Sequence, residues 1–283
     1  MELVDEKFRR LDEYYRRAVE GHVYIRETLE AFYETVGARI ARLPSRPRIL
    51  ELGSHAGFIT ESILQRWPEA DIVVNDENVE LLEMARKRLA ERDVRFERGP
   101  LGASSGAFDL VVSVARHHHL PYGYLSNVHR VLKADGVYVL ADELCPEYCG
   151  AAALERIAAA EVLELAGGYV FTSRADWLAF ERSGTVPLYA RELEDCRRRS
   201  LWHWYRFVVD CAVERGYFDI AGGELQSAMD DFVTGSKAEH KFSPAIVERE
   251  FELARLRRLT KRVIGSPDDA TRQGMFVYEL GRG

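Results

Sequence analysis

Two glycines and two acids carry the strongest chemical pattern in the chain. Glu51-Leu52-Gly53-Ser54-His55-Ala56-Gly57 follows the apolar run Ile49-Leu50, and a helical pattern starts at Phe58. A buried strand that stops at an acid, turns through glycines and enters a helix brings backbone N–H groups and a helix N-terminus to one point. That arrangement suits a nucleotide-like ligand. A glycine loop alone is weak evidence. Here Ile72-Val73-Val74-Asn75-Asp76 is a second apolar run ending in an acid. It lies about 20 residues past the loop, the spacing of a carboxylate that binds both ribose hydroxyls.

Further candidates fall where other strands end. His117, His118 and His119 follow the strand pattern Phe108 to Val114, and Asp142-Glu143 follow Val137 to Ala141. In an α/β sheet these positions share the ligand-binding edge. A histidine there suits a general base near neutral pH; His117 and His118 are the expected bases. Glu143 is expected to bind an amine or take a proton. A metal held by a histidine with Glu143 or His55 is the weaker variant, and none is expected.

The elements that must hold these residues alternate strand and helix from Pro47 to Ala141, the mark of a parallel, doubly wound sheet. Before it, Glu2 to Leu43 reads as two or three helices, with Val4, Phe8, Leu11 and Tyr15 at helical spacing, stopped by Leu43-Pro44-Ser45-Arg46-Pro47. After it, helices are expected from Ala151 to Leu165, ended by Gly167-Gly168, from Arg174 to Phe180, from Leu188 to Val213 and from Glu224 to Phe232. Glu239-His240-Lys241 reads as a loop. Ser243-Pro244 starts a helix, and Arg258 to Ile264 with Gly274 to Leu280 closes the chain as a hairpin. The expected divisions are a helical cap over 1–44, a core over 45–145, a helical insertion over 146–242 and a closing helix and hairpin over 243–283.

These motifs together resemble the class I S-adenosylmethionine-dependent methyltransferases of the small-molecule branch. The likeness covers Pro47 to Leu140 and the last hairpin. Glu51 to Gly57 matches the family's acid-x-Gly-x-Gly-x-Gly loop with His55 in place of the middle glycine, and Asp76 falls on its ribose-binding acid. His118-His119-Leu120-Pro121 and His129-Arg130-Val131-Leu132-Lys133-Ala134-Asp135-Gly136 match two of its turns. The acid that often follows the third strand is missing, where the chain reads Gly99-Pro100-Leu101. The resemblance implies a seven-stranded Rossmann-like sheet with an antiparallel terminal hairpin, and S-adenosylmethionine held by Tyr15, Glu51, Gly53, His55, Gly57, Asn75, Asp76 and Ser113. It implies methyl transfer to a small molecule, in secondary metabolism given so large a helical insertion. His55 at the methionine end keeps open a cyclase that releases methylthioadenosine. The altered glycine and missing acid keep open a catalytically silent S-adenosylmethionine-binding protein.

Totals bound the partners. A formal net charge of −7 over 283 residues gives no field to gather nucleic acid, and Asp230-Asp231 make the insertion acidic. The run Cys196 to Arg206, rich in arginine and large aromatics, reads as a solvated lid face. Four cysteines without Cys-x-x-Cys pairs read as reduced thiols, and Met1 to Arg10 lacks a signal peptide's apolar core. A cytoplasmic protein, off the membrane and with a homodimer left open, is expected.

Overall fold

The computed structural model describes residues 2–43, 45–120, 123–233 and 241–283. Of the expectations above, Pro44, Pro121, Glu239 and His240, and the side chains of Val4 and Phe8, lie outside the described residues.

Two N-terminal helices, α1 (Glu2–Gly21) and α2 (Ile25–Ile40), precede the sheet. Then come β1 (Arg48–Leu52), α3 (Phe58–Arg66), β2 (Asp71–Asp76), α4 (Val79–Arg88), β3 (Val94–Arg98), β4 (Phe108–Val114), α5 (Tyr124–Val131) and β5 (Leu132–Glu143), with β3 leading to β4 without a helix. The insertion holds α6 (Ala151–Ala158), β6 (Glu164–Ala166), β7 (Tyr169–Phe171), α7 (Arg174–Ser183), α8 (Leu188–Glu214) and α9 (Phe218–Val233). The chain closes with α10 (Pro244–Leu253), β8 (Leu256–Ile264) and β9 (Met275–Arg282).

The sheet order is β3-β2-β1-β4-β5-β9-β8. The first five strands pair in parallel, and β9 runs against both β5 and β8. Because side chains alternate across a strand, both faces must be covered, and both are. Ile49, Ile72, Leu110 and Val139 pack with Phe32, Val36 and Ile63 from α2 and α3. Leu50, Val73, Val111 and Leu140 pack with Val128 of α5 and Ile246 and Val247 of α10. The register sets Leu52 beside Asn75, Glu51 beside Val112, and Val114 beside Ala141. Gly53, Asp76, Ala115 and Asp142 therefore emerge along one edge.

Two local expectations differ from the fold. Gly167-Gly168 turn a two-stranded hairpin, β6 with β7, rather than ending a helix that reaches Leu165. Their φ angles of 59° and 85° are the left-handed pair a tight hairpin needs; three-residue strands are too short to show alternation. Asp135-Gly136, read as a turn, lies in the bulged start of β5, where the register with β4 shifts.

The insertion stands over the carboxyl edge. Leu201, Trp204, Tyr205 and Val208 of α8 cluster with Ala228 of α9, Val23, Cys145 and Met275. Arg197, 5% exposed, bonds Glu194 and the Asp231 carboxylate, tying α8 to α9. Ser173 caps α7, accepting from the Asp176 N–H.

Candidate active site

The loop after β1 is wound tightly. Gly53 and Gly57 have φ of 83°, and His55 and Ala56 between them also take positive φ, 42° and 52°. His55 is held there by its own ring, whose Nδ1–H donates to the Gly53 carbonyl at 2.9 Å. Burial, with Arg116 close by, lowers its imidazole to about 4, so it is neutral at pH 7. Tyr15 of α1 lies 6.1 Å from the His55 ring and 5.8 Å from Phe58, centroid to centroid. Gly57 lets the loop lie against α4: an added Cβ would stand 3.2 Å from the Ala85 Cα.

Asp76 is the hub of the edge. Its Oδ2 accepts from the Ser54 N–H at 2.7 Å and the Ser54 hydroxyl at 2.9 Å, and its Oδ1 from the Asn78 N–H at 2.9 Å. The Arg116 guanidinium lies 3.9 Å from Oδ1. Asn75 fastens the next turn, accepting from Gly102 N–H at 2.8 Å and donating to the Glu97 and Gly99 carbonyls. Ser113 bonds the Tyr138 hydroxyl at 2.7 Å inside the core.

The three histidines separate. His117 turns into the core, its Nδ1 2.8 Å from the Tyr124 hydroxyl and its Nε2 3.4 Å from Glu250. His118 donates from Nδ1 to Asp142, which also accepts from the Arg116 and His117 N–H groups at 2.8 and 2.7 Å. Burial pushes the Asp142 carboxyl up, but His118 outweighs it and holds the acid at about 2. His119, its ring 4.0 Å from that of His118, lines the cavity.

That cavity, about 280 Å³, runs between α1, α2, the loop and α9. Val19, Ile25, Leu29 and Ile59 make its walls apolar, His55 and Arg116 stand at the cofactor-loop end, and His22 and Glu224 at the other. Behind them is Glu143. Trp204 Nε1–H donates to its Oε1 at 2.5 Å, and the Lys241 ammonium lies 3.0 Å from its Oε2. Burial raises this acid, yet Lys241 and then His22 outweigh it and hold it at about 2. Sequence pattern alone does not mark Arg116, His22, Glu224 or the buried Lys241 as site residues. Arg116 stands two residues past β4 and was legible as an edge residue; the others meet only through the fold.

S-adenosylmethionine, the group the resemblance implies, can be tested against these residues. Two buried polar atoms at the loop lack a hydrogen-bond partner among the described residues: Glu51 Oε1 and Arg116 Nε. Once ionised, Glu51 offers an acceptor and Arg116 a cationic donor, matching the ammonium and carboxylate of a methionine moiety, and Asp76 supplies the acceptor for ribose hydroxyls. Gly53 provides the bare backbone, where an added Cβ would come within 2.6 Å of the Arg116 side chain. Arg116 must move aside for a ligand to reach that backbone. The donor set fits the group.

Comparison with known proteins agrees. Residues 49–136 match the family model described as "Methyltransferase domain". A malonyl-[acyl-carrier protein] O-methyltransferase of Magnetococcus marinus is 31% identical over 121 residues, 39% of this chain and 44% of that protein. A trans-aconitate 2-methyltransferase of Deinococcus radiodurans is 34% identical over 83 residues, 29% of this chain and 32% of that protein. The chain thus spans less than half the length of these curated relatives. The solved TehB-like SAM-dependent methyltransferase of Corynebacterium glutamicum overlays 99% of this chain and 100% of its own, with 13% identity and a TM-score of 0.45. No helix among the described residues is long and apolar enough to cross a membrane. Residues 49–136, with the strand order, the glycine loop and the second acid in register, match a methyltransferase domain.

Proposed function

We propose that the protein transfers a methyl group from S-adenosylmethionine to a small-molecule acceptor bound under the helical insertion. The observation that carries this is the single cavity reaching from the cofactor loop, at His55 and Arg116, to the polar residues His22 and Glu224. Asp76 would hold the ribose, Glu51 and Arg116 the methionine end, and Tyr15 would cover it. Bound there, the cofactor supplies a sulfonium methyl already activated for displacement. The protein then has to align the acceptor and exclude water.

In this reading Asp142 fixes the His118 tautomer by accepting its Nδ1–H, and His118 serves as the base for the acceptor's proton. His118 adjoins the cavity through His119, which lines it and whose ring lies 4.0 Å from that of His118. Glu143 serves as a clamp, since Trp204 and Lys241 take both its oxygens. The insertion over 146–242 and the cap over 1–44 act as the lid on a 45–145 core. Secondary metabolism, a cytoplasmic setting, independence of nucleic acid and a possible homodimer belong to the same reading, supported by the private insertion and the mild acidic charge.

The test is incubation with S-adenosylmethionine and a panel of acids, amines and phenols, with S-adenosylhomocysteine read by mass spectrometry. Methyl transfer requires its release with at least one acceptor. Methylthioadenosine formed without an acceptor would point to the cyclase, and failure to bind either nucleoside would point to a silent protein.

A further inference from the structure

The inner end of the cavity holds one acid with an oxygen that has no hydrogen-bond partner among the described residues. Asp142 is matched by His118, Glu143 by Lys241 and Trp204, and Asp231 by Arg197 and the Tyr205 hydroxyl. Glu224 of α9 is different. It is 9% exposed, it lines the cavity, and its Oε2 has no hydrogen-bond partner among the described residues. Its Oε1 lies 3.7 Å from His22 Nε2. His22 Nδ1–H donates to the Val23 carbonyl at 2.6 Å, so in the neutral ring Nε2 is an acceptor too. The Glu224 oxygen thus faces a space whose other walls are mostly apolar, and an unmet buried carboxylate oxygen costs free energy that a ligand's donor recovers.

We propose that Glu224 and His22 form an ammonium-binding subsite, and that the acceptor of this enzyme is an amine on an apolar skeleton. This rests on the methyltransferase reading for the word acceptor, but the subsite is read from the cavity alone. Tyr14, which also lines the cavity, adds an aromatic ring beside the same acid, a further attraction for a cation. Val19, Ile25 and Leu29 would take the skeleton. An anionic ligand would meet Glu224 and Glu143 at this end. Burial raises the Glu224 carboxyl, with His22 partly offsetting it, as expected of an acid that waits for a counter-charge.

A divalent metal is the competing occupant, since ligand atoms of His22, Glu143 and Glu224 lie within 4.8 Å of one another. Lys241 stands against it. Its ammonium already lies 3.0 Å from Glu143 and donates to Tyr205, so a cation occupies the position from which a dication would draw its third ligand.

The experiment is calorimetric titration of the full chain, with and without S-adenosylhomocysteine. Benzylamine, phenethylamine and tyramine are compared with benzoate, phenylacetate and benzyl alcohol, and Zn²⁺ is titrated alone. At least one amine should bind, its matched carboxylate at least tenfold more weakly. Glu224→Gln should weaken the amine tenfold or more, and Glu224→Asp should restore part of the loss. Thermal unfolding of each variant checks that it folds. The proposal is overturned if no amine binds, if a carboxylate or alcohol binds as well as its amine, or if folded Glu224→Gln keeps the amine. One equivalent of Zn²⁺ lost in His22→Ala would overturn it in favour of a metal centre. Absence of S-adenosylhomocysteine binding would strike the cofactor reading alone, because the amine titration without it still reads the subsite.

Discussion

Replacing Glu51 with glutamine isolates what burial does at the cofactor loop. Glu51 is 1% exposed; its Oε2 accepts from the Thr60 hydroxyl and its Oε1 from no described group. Burial lifts its carboxyl from 4.5 to about 8, Thr60 opposing and the Asp76 charge adding. An acid whose folded value is raised keeps its proton in the native chain where the unfolded chain has released it. Folding is then unpenalised below the unfolded value of 4.5 and weakens as pH climbs to about 8, where the loss levels off. At about 1.36 kcal/mol per unit, wild type should lose roughly 3–4 kcal/mol relative to Glu51→Gln between pH 5 and pH 8. Glutamine keeps the shape and an oxygen for Thr60, so the two proteins should be closely matched at pH 5. Urea unfolding of both at several pH values, without cofactor, measures the gap. A gap that stays constant across the window would refute the reasoning, because it would mean the folded protein holds Glu51 ionised.

Three other outcomes follow from the same geometry. Asp76→Asn should weaken S-adenosylhomocysteine binding about tenfold or more by calorimetry, since an acceptor-only group is replaced by one that also donates; at the cost of one charge-assisted hydrogen bond, about 1.5–3 kcal/mol, the loss is large enough to see. Arg197→Ala leaves Asp231 buried without its cation and Glu194 with Arg198 alone, and should cost about 3 kcal/mol in chemical unfolding. Acid should unfold the lid early: Asp142 and Glu143 are held at about 2, below their ordinary 3.8 and 4.5, so the stability they confer is present above those ordinary values. It should drain as pH falls towards 2, visible as a falling urea midpoint by tryptophan fluorescence.

What the sequence made legible was local. The strand, loop and helix at Glu51 to Phe58 and the acid closing β2 are consecutive residues, so spacing alone announces them. The register of a parallel sheet then brings Gly53 and Asp76 to one edge without further information. The three histidines show where locality stops. Their neighbourhood was readable, but a one-turn 3₁₀ segment over His117–His119 sends them in different directions. Only the fold shows that His117 goes to Tyr124 and Glu250 while His118 goes to Asp142. His22 and Glu224 are further from reach, since a junction between the first two helices and a helix of the insertion meet through tertiary packing. Glu143 was noticed for its strand end; that Trp204 and Lys241 occupy it depends on two segments far along the chain.

The reversed strand β9 has a consequence for how the molecule is made. It slots between β5 and the edge strand β8, with Glu143 paired to Met275, so the whole insertion is synthesised before that side of the sheet can close. Until then β5, with an apolar row on each face, is an open border on a nascent polypeptide, of the kind that sticks to other chains or calls for a chaperone. The ribosome must therefore deliver the lid before the floor beneath it is finished.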